Sequence, residues 1–283
     1  MKKIRFYKLQ ASGNDFILIN NYQLKIKEDK LKKIARKYCA RKTGIGADGL
    51  LVIEPSKRGN FKMRIFNADG SEAEMCGNGA RCVVLWANSV RKIKNMTFFE
   101  TKAGMIEAKI KERKNKGALI SIKMTDPFDL KLEIPLVLEK RKIKVNYVNT
   151  GVPHTVIFVE GLEKIPIEEI GRKVRFHKRF LPQGTNVNFV EILKDDFIKI
   201  RTYERGVEGE TFACGTGAVA SAIITTKFLK SKNKRIKINV LTKSEERLKV
   251  YFYQNKSITD VWLEGSVSLI YEGEVYIVRL LHC

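Results

Sequence analysis

The sequence predicts an α+β protein of two similar domains related by an approximate internal twofold, and three observations carry that expectation. Short apolar runs with β-branched and aromatic residues, punctuated by Gly and Asn, alternate with a few helical patterns. The second half also repeats the first. Adding 138 to a position carries Gly13 to Gly151, Gly46 to Gly184, Val52 to Val190 and Glu72 to Glu210, with no gap, and Cys76, Gly77, Gly79 and Ala80 onto Cys214, Gly215, Gly217 and Ala218. Finally, the CGxGA string of each repeat leads into an apolar, Ala-rich segment long enough for a helix.

Taken in order, strands are expected near residues 4–9, 16–20, 50–54, 61–66, 97–101, 105–110 and 119–124. Residues 28–38 read as an amphipathic helix, with Leu31, Ile34, Ala35 and Tyr38 at helical spacing. The segments after Cys76 and Cys214 are apolar nearly all round, which predicts helices buried inside their domains. After Met124 the stretch TDPFDLKLEIP, with two prolines and mixed charge, is the expected linker.

Composition narrows the function classes. The 283 residues are 44% apolar with six prolines, which excludes collagen-like and low-complexity chains. No stretch reaches the roughly 20 apolar residues a bilayer span needs, and MKKIRFYK runs into Asn14 and Asp15 rather than a signal core, so a cytoplasmic protein without membrane contact is expected. Lys and Arg number 54 against 31 Asp and Glu, a net charge of +23. A nucleic-acid partner would exploit such charge. The basic runs at 25–42, 109–116, 140–144 and 227–237 are scattered, however, and read as solvated surface rather than as a nucleic-acid footprint.

The five cysteines, Cys39, Cys76, Cys82, Cys214 and Cys283, are too sparse for a disulfide framework, so reduced thiols are the default. Cys39, Cys82 and Cys283 read as small buried hydrophobes. Cys76 and Cys214 differ, because both precede a Gly-rich helix start. Unpaired amides and the positive dipole end there stabilise a thiolate and also make an anion site. With three histidines (His154, His177, His282) and no CxxC pair, metal-ligand spacing is missing, and a redox dithiol lacks its short turn. Two thiols approaching one small molecule from opposite sides point to deprotonation on one face of a carbon and reprotonation on the other. The proton α to a carboxylate is far less acidic than a thiol, so the substrate carboxylate must lie against the helix amides in a cleft that excludes water. No cofactor is needed for that chemistry.

The motifs ASGNDF (11–16), GADGLL (47–52), FNADGSEAEMCGNGARC (66–82), TGVPHTV (150–156), QGTNVNF (183–189) and YERGVEGETFACGTGA (203–218) resemble the diaminopimelate epimerase family nearly end to end. The resemblance implies a cofactor-independent isomerase of bacterial lysine and cell-wall synthesis, acting on LL- and meso-2,6-diaminopimelate without metal. It implies two domains, each a mixed β-sheet curled around a central helix, with residues 1–124 and 266–283 forming one and 125–265 the other. Cys76 and Cys214 would be the catalytic pair. Asn14, Asn67, Asn186, Glu204 and Arg205 would surround the substrate, with Gly77, Asn78, Gly215 and Thr216 supplying amides to its reacting carboxylate. Arg205 would fork onto the distal carboxylate, His154 and Glu204 would assist the thiols, and a homodimer is implied.

The pattern departs from many relatives at Val152, where they carry Asn, so one polar contact to the distal end of the substrate is missing or supplied elsewhere. Proline racemases and hydroxyproline epimerases also resemble this chain in using two thiols. They usually show His where it has Asn78, and they lack its YERG segment; the phenazine-pathway isomerases lack the thiol pair. GIGADG (44–49), with Asp69 beyond it, mimics a dinucleotide fingerprint, but a helical pattern precedes it and an apolar run follows, the reverse of what that fingerprint needs.

Overall fold

In the computed structural model, residues 3–139 and 141–276 are described; Cys283, His282 and the expected strand residues beyond 276 lie outside them. The chain forms two compact units, one running to Ile122 and resuming at Gly265, the other Lys123–Glu264. In the first lie β1 (Lys3–Ala11), β2 (Asn14–Asn20), α1 (Glu28–Cys39), β3 (Gly49–Glu54), β4 (Lys62–Asn67), β5 (Glu72–Ala73), α2 (Gly77–Arg91), β6 (Met96–Thr101), β7 (Gly104–Lys114) and β8 (Gly117–Lys123). The second holds β9 (Phe128–Leu138), β10 (Arg141–Asn149), β11 (Pro153–Phe158), α3 (Ile167–Arg175), β12 (Asn186–Lys194), β13 (Phe197–Glu204), β14 (Gly209–Thr211), α4 (Gly215–Phe228), β15 (Arg235–Leu241) and β16 (Arg247–Gln254). β17 (Ile258–Tyr276) starts beside β16 and continues beside β1.

All seven expected strands and the helix from residue 28 are present. In the first unit the ladder β1-β2-β3-β4-β6-β7-β8-β17 returns to β1 and so closes, with β2–β3 and β4–β6 parallel and β1–β2, β3–β4, β6–β7, β7–β8 and β1–β17 antiparallel. Closure removes edges that would otherwise recruit other strands. The second unit has the matching ladder β9-β10-β11-β12-β13-β15-β16-β17, with β11–β12 and β13–β15 parallel. α2 packs against β1, β2, β3, β4 and β7, and α4 against β10 to β13, β15 and β16. Residues Asn78–Ala87 of α2 and Gly217–Thr226 of α4 are continuously buried, as their apolar composition requires.

The repeat needs a correction. Val52 pairs with Arg64, whereas Phe189, not Val190, pairs with Arg201. Across these strands the equivalence is therefore 137, and a one-residue slip turns every side chain to the other face. Burial agrees: Val52 and Phe189 pack in the cores beside α1 and α3, while Val190 belongs to the core around α4. The offset is again 138 at the helix starts. One residue is lost between Gly184 and Asn186 and regained in the turn after Glu204. In the corrected register Arg64–Glu72 and Arg201–Glu210 are equivalent, with Nε–Oε1 distances of 2.7 and 2.6 Å. Each is a two-pronged pair.

The expected linker is also overturned. Most of it is β9, paired with β10 from Phe128 to Leu138. Pro135 is tolerated because β9 has β10 as its paired neighbour among the described residues and so lies at an edge there, and left-handed Asp129 and Glu133 accompany the register shifts along it. GIGADG closes the C-terminus of α1: Gly46 N donates to Tyr38 O and Ala47 N to Cys39 O. A side chain at Gly44 would stand 2.7 Å from Tyr38 O, so the glycines serve the turn.

Arg64 holds the Glu72 carboxyl below the usual range, and although burial pushes Glu210 up, Arg201 and Lys243 bring it below as well. A carboxylate with a depressed folded pKa stabilises fully above its unfolded value, about 4.3, and loses that contribution as pH falls through the folded value. The urea midpoint should accordingly fall on acidification below about pH 4. Glu210→Ala should remove about 3 kcal/mol at neutral pH, the lower end for breaking a buried pair, and flatten that acid limb.

Candidate functional site

Each CGxGA string places its cysteine as the residue capping a helix. Cys76 is extended (φ −142°) and its Sγ accepts the Gly79 amide at 3.5 Å. The first intrahelical bond runs from Ala80 N to Cys76 O, which leaves the amides of Gly77 and Asn78 pointing out of the helix start. A Cβ on Gly77 would meet nothing within 4 Å, so space stands open in front of these amides. On Gly79 it would stand 2.9 Å from Leu51 Cδ2, so the helix start is pressed onto β3.

The side chains around Cys76 form a chain of hydrogen bonds. Asn78 Nδ2 donates to Asn14 Oδ1 at 2.6 Å, and Asn14 Nδ2 to Asp48 Oδ2 at 3.0 Å. Asp48 and Asp15 clasp each other through their backbone amides, and Arg41 bridges both carboxylates. Buried Lys8 ties this clasp to the Gly46 carbonyl. Asn67 ends β4 at the edge where β2 begins, since Gly49 pairs with it and Phe16 pairs with Gly49; its Nδ2 donates to Ser71 Oγ at 3.0 Å.

The second unit repeats the helix start with different neighbours. Cys214 caps α4 with its Sγ 3.4 Å from Thr216 Oγ1, and Thr150 Oγ1 donates to the Thr216 carbonyl at 3.1 Å. Val152, aligned with Asn14, supplies a carbonyl to Thr150 N rather than a side-chain amide. His154 is fully buried, with Nδ1 facing Asn188 Nδ2 at 3.1 Å. Asn188 also donates to Thr155 O, so Nδ1 is the acceptor and the ring proton sits on Nε2. Burial first, then the charge of Arg205, lowers the His154 pKa to about 3. A ring held neutral in this way is a donor, not a base, at neutral pH.

Asn186 Oδ1 accepts the Arg205 amide at 2.9 Å, and its Nδ2 donates to Pro153 O at 3.0 Å, so this side chain joins the start of β11 to the turn after β13. Arg205 Nη1 donates to Gln183 O. Burial raises the Glu204 carboxyl, against a hydrogen bond from Thr211 that lowers it. Thus Asn14, Asn67, Cys76, Gly77 and Asn78 gather in one unit, and His154, Asn186, Glu204, Arg205, Cys214, Gly215 and Thr216 in the other. Cys39 and Cys82 lie in the cores, where burial drives the Cys39 thiol to about 12, out of reach of reaction. Two groups escaped the sequence reading: Asn188, hidden inside QGTNVNF, and Arg81, a charge in an otherwise apolar helix.

Among the described residues no cluster of three or more His, Cys, Asp or Glu could hold a metal ion, and no helix is long and apolar enough to cross a membrane. The diaminopimelate epimerase family pattern matches residues 6–129 and 146–263. The chain is 44% identical to a diaminopimelate epimerase of Aquifex aeolicus over 96% of its own length and 98% of that protein's. It is 40% identical to one from Hydrogenobaculum, over 94% and 96%. In fold it is similar to a Bacillus anthracis phenazine biosynthesis protein of the PhzF family, with TM-score 0.74, 19% identity and coverage of 98% and 100%. It is also similar to a hydroxyproline epimerase from Agrobacterium vitis, with TM-score 0.69, 15% identity and coverage of 97% and 93%.

The neutral His154 is open to direct measurement. Ring nitrogen shifts from selectively labelled protein should show a single Nε2–H tautomer that does not change between pH 8 and pH 5; a titration midpoint near 6.5 would contradict the burial argument.

Proposed function

The chain belongs to the diaminopimelate epimerase family and is an isomerase, and from that premise we propose that it interconverts LL- and meso-2,6-diaminopimelate with Cys76 and Cys214 as paired acid and base. The observation that carries the reading is the duplicated helix start, a cysteine capping each of two buried helices whose first amides are directed outward. One thiolate takes the α-proton from one face while the other thiol donates to the opposite face, and the roles exchange in the reverse direction. Negative charge that develops on the substrate carboxylate is met by the amides of Gly77, Asn78, Gly215 and Thr216, fixed dipoles that need no reorganisation.

On this reading Asn14, Asn67 and Asn186 present amides to a molecule bearing two ammonium and two carboxylate groups, and Arg205 takes the distal carboxylate. His154 acts as a neutral donor that orients its surroundings. Glu204, its carboxyl raised by burial, assists the thiols. No pyridoxal phosphate, metal or nucleotide enters any step. The reading extends to a cytoplasmic homodimer that binds no nucleic acid and serves lysine and peptidoglycan precursor synthesis. The reduced thiols it requires favour that compartment.

Reduced, chelator-treated protein incubated with LL-diaminopimelate should produce the meso isomer by chiral chromatography, and no meso product from folded protein would defeat the proposal. Cys76→Ala and Cys214→Ala should each lower turnover by at least ~10²–10⁴-fold, the range for losing an acid or base, because one thiol cannot serve both faces. Near-normal turnover in either variant would defeat the two-thiol scheme while leaving the substrate in place.

A further inference from the structure

Arg81 is a fully buried guanidinium, 0% exposed, in the second turn of α2. The position is unfavourable for a cation twice over, since burial penalises the charge and the nearby helix N-terminus carries the positive end of the dipole. Nor does the fold demand an arginine. Its counterpart in α4 is Val219, equally buried, in a helix of the same kind. What Arg81 holds therefore explains it better than packing does.

Side chains in an α-helix lean toward the N-terminus, and Arg81 accordingly reaches back to its own helix start. Nη2 donates to Asn78 Oδ1 at 2.7 Å and to Ser12 Oγ. From Asn78 the bonds continue through Asn14 to Asp48. An arginine can only donate and an ionised aspartate can only accept, while each asparagine in between can flip. A chain with a donor-only end and an acceptor-only end has one consistent polarity. Asn78 must accept the Arg81 hydrogen bond on Oδ1 and donate from Nδ2, and Asn14 must do the same toward Asp48. Each amide keeps one further N–H, so the pair offers donors. In the second unit the aligned residues are Thr150, Val152, Thr216 and Val219, and no such chain is possible.

We propose that Arg81 is a positioning residue for the reaction: with Asp48 it locks the amides of Asn78 and Asn14 in the orientation that turns an N–H of each toward the substrate carboxylate. The inference rests on the function proposed above. Donors aimed at a carboxylate that gains charge in the transition state affect kcat more than KM.

The test uses the full-length chain with Arg81→Met, Arg81→Lys and Asp48→Asn. Arg81→Met should lower kcat about 10- to 100-fold, the scale for misplacing or losing one preorganised donor, with KM within a few-fold of wild type. Arg81→Lys, still a donor-only cation, should recover part of the loss. Asp48→Asn, at a half-exposed position that spares the core, should lower kcat in the same direction, and its double variant with Arg81→Met should fall no further than the worse single change. In asparagine-labelled protein the side-chain amide protons of Asn78 should exchange faster in Arg81→Met and Asp48→Asn than in wild type. Wild-type kcat in folded Arg81→Met, or, if that variant fails to fold, wild-type kcat and Asn78 exchange in Asp48→Asn, would overturn the inference. An inactive wild type would instead defeat the diaminopimelate reading, and the amide exchange would still decide the role of Arg81.

Discussion

The first turn of a buried helix has amides that no helical carbonyl can satisfy, and this chain has two such turns, each capped by a cysteine. Water and ordinary caps normally resolve the problem. Here the Cys76 sulfur takes one amide and glycine removes the bulk that would cover the others. Positive potential is thereby concentrated where a thiolate and a carboxylate are both favoured, and the apolar bodies of α2 and α4 set it in surroundings where fixed dipoles act strongly. The ladders around these helices, the Arg–Glu pairs beneath and the clasp of Asp15 with Asp48 are the means by which that arrangement is kept in place.

Duplication supplied the same scaffold twice, but the surroundings have diverged. In the first unit the helix start is supported by a polarised amide chain from a buried cation to a carboxylate. In the second, Thr150, Val152 and Val219 replace those groups, and a buried, neutral His154 held by Asn188 supplies the polar character instead.

Much of this was legible in the sequence, because strand alternation, the helix from residue 28 and the apolar all-round character of α2 and α4 are local signals that tertiary packing reinforced. The two capping cysteines were legible because a Gly-rich turn before an apolar helix occurs twice. What failed was not local. Pro135 and mixed charge made β9 look like a linker, although an edge strand accommodates both. The gap-free repeat placed Val52 on Val190, because identity counts do not see the single-residue loop change that pairing with Arg64 and Arg201 exposes. Arg81 and Asn188 went unassigned because their roles depend on partners 69 and 34 residues distant in the chain.

The central claim is that protons leave and arrive on separate thiols, and isotope placement during the first turnovers tests it most directly. With LL-diaminopimelate in deuterated water, the account expects meso product carrying deuterium at the inverted carbon while recovered LL substrate carries none. Deuterium appearing equally in recovered substrate, or meso product retaining the substrate's own hydrogen, would mean that one group serves both faces and would contradict the account.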